Sequence, residues 1–162
     1  TLSEKNSQVI FWNRAQQAAF VILLWDCIAD AVKNCKLGWA EKLRSEINQN
    51  EKYDAAFTSK NSLLSRDQGV RGVSMFANDF FYQVANSKEW DFNKFQWEED
   101  IDDTLINNEN IKTALALFNS DDKFSGLIKS FANEISKLDW RTTSAVFDKE
   151  EERKYDIKKE RK

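Results

Sequence analysis

The chain is 162 residues long, 41% hydrophobic and carries a formal charge of −3, which allows one domain with a sizeable core and implies no polyionic partner for the whole surface. With no proline and four glycines, it nearly lacks the residues that punctuate hairpins, sandwiches and α/β loops, and helices joined by polar loops remain. Histidine is absent, which removes a His-dependent catalytic triad, a Glu-x-x-His di-iron bundle and the commonest zinc ligand.

A first helix is predicted from about Ser3 to Asn34. Its apolar run from Ala18 to Trp25 is unbroken, and eight consecutive apolar residues cover every side of a helix, so burial on most sides is expected. The run is well short of the roughly 20 residues of a membrane span, and Arg14, Gln16, Gln17, Asp26 and Asp30 interrupt the wider window. A central bundle helix or one face of an oligomer fits better than a membrane segment. A short amphipathic helix follows from about Trp39 to Asn48, with Trp39, Ala40, Leu43 and Ile47 on one side. The polar stretch from Asn48 to Asn61 contains Tyr53, Ala55, Ala56 and Phe57, enough for one more turn.

Ser65, Arg66, Asp67 and Gln68 match a capping box, with the Ser65 hydroxyl taking the N3 amide and Gln68 reaching back. The helix after it is expected deep in the core, with a stripe of Gly69, Gly72, Val73, Phe76, Phe80 and Val84 widened by Val70, Ala77 and Phe81. Another helix is predicted from about Lys88 to Ile106, with Trp90, Trp97, Ile101 and Leu105 on one side. Asn107, Asn108 and Asn110 start a helix to about Phe118, and Ser120, Asp121 and Asp122 start a last core helix carrying Phe124, Leu127, Ile128, Phe131, Ile135 and Leu138. From Asp148 to Lys162 there are seven bases and six acids, with Tyr155 and Ile157 the large apolar residues, so a solvated helix or frayed tail is expected. The domain is therefore placed at 1–145, with 146–162 as a charged extension.

Cys27 and Cys35 lie eight residues apart on the first predicted helix, about 12 Å along its axis, too far to bridge. Two thiols without a disulfide framework point to a reducing cytoplasm. Thr1 in place of an initiator methionine and a densely charged C-terminus lead us to expect excision from a longer intracellular polypeptide.

Three segments stand out. Ser65 to Gly72 holds two glycines inside a predicted helix, each costing about 1 kcal/mol relative to alanine, so a close backbone or ligand must offset them. In the functional version this helix start takes a phosphate or other anion, with Ser65, Arg66, Gln68 and Arg71, and Lys60 nearby, as its ligands. In the plainer version the glycines let the first helix pack closely and the charged residues pair with one another. Glu89 to Asn110 carries eight acids against one base, a net of −7, against +2 for Lys36 to Gly72, so an acidic face is the stronger electrostatic feature. Glu98, Glu99, Asp100, Asp102 and Asp103 lack the alternating ligands and glycine of a calcium loop, and with Trp90 and Trp97 they form a candidate interface for a basic protein partner. The aromatic residues, twelve Phe, six Trp and three Tyr, fit core packing or an interface better than base stacking, because Trp90 and Trp97 lie in the most acidic stretch.

These readings converge on an all-α, irregular bundle of five to seven helices around a hydrophobic N-terminal helix. The expected function is a non-catalytic interaction or assembly module with a protein partner or self-association, without cofactor or metal and outside the membrane. The alternative is an anion, nucleotide or nucleic-acid binder at Ser65 to Gly72. An enzyme using carboxylates and arginine would need a buried acid in a cleft, which no spacing predicts.

Overall fold

The computed structural model describes residues 10–46, 54–87, 90–95, 106–143, 145 and 147–154. Among them lie seven α-helices and no strand: α1 (Arg14–Asn34), α2 (Gly38–Ser45), α3 (Ala55–Thr58), α4 (Asp67–Asn86), α5 (Asn108–Ser120), α6 (Asp122–Ser136) and α7 (Lys149–Lys154). The fold is the all-α bundle expected, with the apolar α1 packed against α5 and α6, and α2 and α3 against α1 as well.

The start of α1 differs from expectation. Residues 10–13 are not helical, and the helix begins with Asn13 and Gln16 forming a reciprocal capping box. The Asn13 side chain accepts the Gln16 amide at 2.8 Å, and the Gln16 side chain accepts the Asn13 amide at 3.0 Å. This stop leaves the preceding chain extended, so that Trp12 turns into the core and its indole donates to the Phe92 carbonyl at 2.9 Å. Gln16 is itself buried, and its amide nitrogen donates to the Phe95 carbonyl, so the polar group inside the core is satisfied. Replacing Asn13 by alanine is expected to lower unfolding free energy by about 1 kcal/mol, read from the urea midpoint at constant slope.

The core is dominated by aromatic rings. Trp12 and Phe118 lie 5.0 Å apart, Phe118 and Phe124 5.0 Å, and Phe20 and Phe81 5.0 Å, in tilted or edge-to-face arrangements. Helices α5 and α6 carry their own caps: Asn107 accepts the Asn110 amide, and Asp121 accepts the Phe124 amide, each at 2.8 Å. Leu138, expected in the α6 stripe, falls past the helix end and is 52% exposed.

Of the helix predicted from about Lys88 to Ile106, residues 90–95 and 106 are described; Ile106 is not helical, and 90–95 hold a single 3-10 turn, Phe92–Phe95. Its carbonyls at Phe92 and Phe95 serve Trp12 and Gln16, and both rings are buried, so tertiary contacts replace the α-helical pattern there. Residues 96–105, including Trp97, Glu98, Glu99, Asp100, Asp102 and Asp103, lie outside the described residues.

The end of the described chain folds back on the loop before α4. Leu63 donates its amide to the Trp140 carbonyl and Thr142 donates to that of Asn61, each at 2.7 Å, around an antiparallel bridge between Ser62 and Arg141. Ala145 and Phe147 are buried, and Glu151 on α7 reaches both Arg141 and Lys42. Part of the charged extension is thus tied to α2 and to the loop at Arg141.

Candidate functional site

Helix α4 shows where the molecule leaves apolar surface uncovered. Its buried residues are Gly69, Val73, Ala77, Phe81 and Ala85, an i, i+4 row displaced from the predicted stripe, so Phe76 and Gly72 face outward. The expectation that α4 lies deep in the core is therefore corrected. No stretch of α4 makes an extended close backbone approach to another described helix; aromatic rings hold it instead. Phe81 reaches Phe20 on α1 at 5.0 Å, and Phe80 reaches Phe131 on α6 at 5.3 Å.

Two clefts flank these rings. One, of about 550 Å³, lies between α1 and α4 and is lined by Phe20, Val21, Leu24, Trp25 and Met75, with Asp79 as its charged residue. The other, of about 440 Å³, lies between α4 and α6 and is lined by Phe76, Phe80, Phe131, Ile135 and Leu138. Along them Met75 is 70% exposed, Phe76 65% and Val21 49%, and Ile22, next to Val21 in the chain, is 40% exposed. Scattered apolar side chains on a surface are ordinary, whereas apolar side chains grouped beside two open clefts make this face the candidate surface. The exposure of Val21 and Ile22 also means that the unbroken apolar run of α1 is not enclosed all round.

The residues considered for anion binding are brought near one another but are engaged. Helix α4 begins at Asp67 with Arg66 in the cap position and no side-chain cap, so the Ser65 to Gln68 capping box does not form. The Ser65 hydroxyl donates instead to the Ser62 carbonyl at 3.2 Å. The Arg66 guanidinium donates to the Lys60 carbonyl at 2.7 Å, and Arg71 pairs with Asp67 one turn away at 3.0 Å. Lys60, Arg66 and Gln68 line a shallow depression of about 1030 Å³ together with Arg141, Thr142 and Thr143. The last three come from a segment that sequence reasoning did not connect with this helix, since no local spacing announces a bridge between Ser62 and Arg141.

Gly69 and Gly72 separate clearly. A Cβ on Gly69 would stand 1.9 Å from the Leu63 carbonyl oxygen, whereas nothing lies within 4 Å of one on Gly72. The close neighbour is therefore the chain's own loop, and neither glycine serves packing against α1.

Trp90, placed in the candidate acidic interface, is half-buried. It packs against Phe92 at 5.5 Å and Phe124 at 5.8 Å, and the Lys94 ammonium sits 4.5 Å above its ring. Lys94 also pairs with Asp121, whose carboxyl is held below its ordinary range by that bond and by the Phe124 amide. Cys27 and Cys35 are both unbridged and half-buried, and burial raises the Cys27 thiol above its ordinary value, a setting that keeps it protonated. Among the described residues no group of three or more cysteine or carboxylate side chains is placed to hold a metal ion. No protein-family model, curated protein or solved structure matches the chain.

Proposed function

We propose that this chain is a non-catalytic, intracellular helical interaction module that binds a protein partner through the apolar surface running from α1 across α4. The observation that carries the reading is the exposure of Met75 and Phe76 beside the two apolar clefts. Binding sites of this kind use apolar anchors seated in grooves, ringed by weaker contacts that exclude water. Val21 and Met75 line one cleft, and Phe76 and Leu138 the other. The anion alternative has less support, because Arg66 and Arg71 would have to leave the partners they already hold.

The test is site-specific photocrosslinking in cells, with the reactive group placed at Met75, at Phe76 or at exposed Lys112 on α5 as a control. Protein adducts of defined mass from the first two positions and none from the third are expected. Adducts from none of the three, with the chain folded and expressed, would defeat the reading.

A further inference from the structure

We propose that two copies of this chain associate across a two-fold axis through one row of α1, with Arg14 of each copy facing Asp30 of the other, one helical turn from its Asp26. This rests on the reading of the chain as an interaction module and adds a self-contact on the exposed face of α1.

The row follows from helix geometry. Arg14, Ala18, Ile22, Asp26 and Asp30 are spaced by four, which makes them one ridge inclined across the helix. None of the five is buried, and Ile22 at its centre is 40% exposed, with Val21 and half-buried Trp25 beside it. Ridges of this spacing pack into one another's grooves at about −50°, the commonest helix crossing. A two-fold axis at Ile22 places Arg14, eight residues before it, opposite Asp30, eight after, and Ala18 opposite Asp26. The row is thus complementary to its own inverted copy, with an apolar centre and opposite charges at its ends.

The charges are available for this. Among the described residues Arg14, Asp26 and Asp30 form no ion pair, although seven such contacts occur elsewhere. Asp26 is held above its ordinary range, first by the partial loss of water around its carboxyl and then by the like charges of Asp30 and Asp54. A cation from outside relieves that repulsion, and Arg14 of a second copy supplies one. Helix α1 is also apolar enough by composition to cross a membrane, yet only 44% of its most apolar window is buried. Ala18 and Ile22, with Val21 and Trp25 beside them, are the apolar side chains left for the second copy to cover. The contact is small, so association on the order of tens of micromolar is expected.

Sedimentation equilibrium of the full chain, from about 5 to about 500 μM, provides the readout. A monomer–dimer equilibrium is expected, with Arg14→Asp alone, and Asp26→Arg with Asp30→Arg, each weakening it about tenfold or more by setting like charges opposite each other. Mixing the two variants should restore a heterodimer, because both junctions again join opposite charges. A wild type that stays monomeric at the highest concentration overturns the inference, as does a dimer indifferent to both charge reversals. Flotation of a monomeric chain with lipid vesicles, abolished by Ile22→Asp, overturns it in favour of a membrane surface. Each of these leaves the crosslinking result at Met75 and Phe76 standing, so failure of the dimer and failure of the interaction reading are separable.

Discussion

Gly69→Ala is expected to destabilise the fold by about 3 kcal/mol, while Gly72→Ala, three residues along the same helix, should stabilise it by about 1 kcal/mol. Both changes remove the same backbone entropy and both improve helix propensity. They differ in what the new methyl meets: the Leu63 carbonyl at 1.9 Å and carbon at 2.6 Å in the first case, open space in the second. The Leu63 oxygen cannot retreat cheaply, since it accepts the Arg66 amide at 2.9 Å in the turn that launches α4. Nor can the peptide slide, because Leu64 is fully buried and the Leu63 amide is fixed to the Trp140 carbonyl. Paired thermal melts should therefore move in opposite directions, the first variant down by about 10 °C and the second up by a few degrees. Equal shifts of one sign would show that the loop yields to the methyl group.

Arg141→Met is expected to cost about 2 to 3 kcal/mol. The Arg141 side chain is 1% exposed, grips Asp139 with Nε at 3.0 Å and Nη2 at 2.7 Å, reaches Glu151 at 2.9 Å and lies 4.2 Å above the Phe147 ring. Removing one member of a buried ionic cluster commonly costs about 3 to 5 kcal/mol, and the lower figure applies here because both acids keep some contact with water. Lysine should rescue little, since a single ammonium cannot match the planar fork. The same cluster sets an acid limit. Hydrogen bonds from Arg141 and then Lys42 bring the Glu151 carboxyl down to about 2 from an ordinary 4.5. A group whose pKa is lower in the folded state binds its proton more readily unfolded, so its contribution is complete above pH 4.5 and disappears as the pH falls toward 2. Denaturant midpoints taken across that window should fall for the wild type and fall less for Glu151→Gln, which gains nothing from ionisation there.

The elements most visible in the sequence were those whose signal is local. Asn107 and Asp121 announce the starts of α5 and α6, and the 3.6-residue spacing of Phe124, Ile128, Phe131 and Ile135 describes a face that is buried. Where competing local signals existed, tertiary contacts chose between them. Ser65 and Gln68 had the residue types for a capping box, but the Ser62 carbonyl takes the serine hydroxyl and Arg66 becomes the cap. Asn13 and Gln16 had the same pattern just before the apolar run, and there the box forms and cuts the helix short. The α4 stripe was displaced because Phe76, Phe80 and Phe81 offer overlapping apolar rows, and only the three-dimensional arrangement decides which one turns inward. Of the candidate sites, Lys60, Arg66 and Gln68 are indeed neighbours, but their facing wall at Arg141 to Thr143 arrives from far along the chain. Such a pairing leaves no periodic trace.

The aromatic props that hold α4 have a kinetic consequence. A helix tied to its neighbours by a few rings, with open channels on either flank, can detach as a unit without dissolving the α1, α5 and α6 assembly. Its amide protons should therefore exchange with deuterium through a sub-global opening, sooner than those of Leu23 to Ile28 at the centre of α1. Anything that seats itself in the channels binds only the closed form, and so slows that exchange along the length of α4, including at amides it never touches.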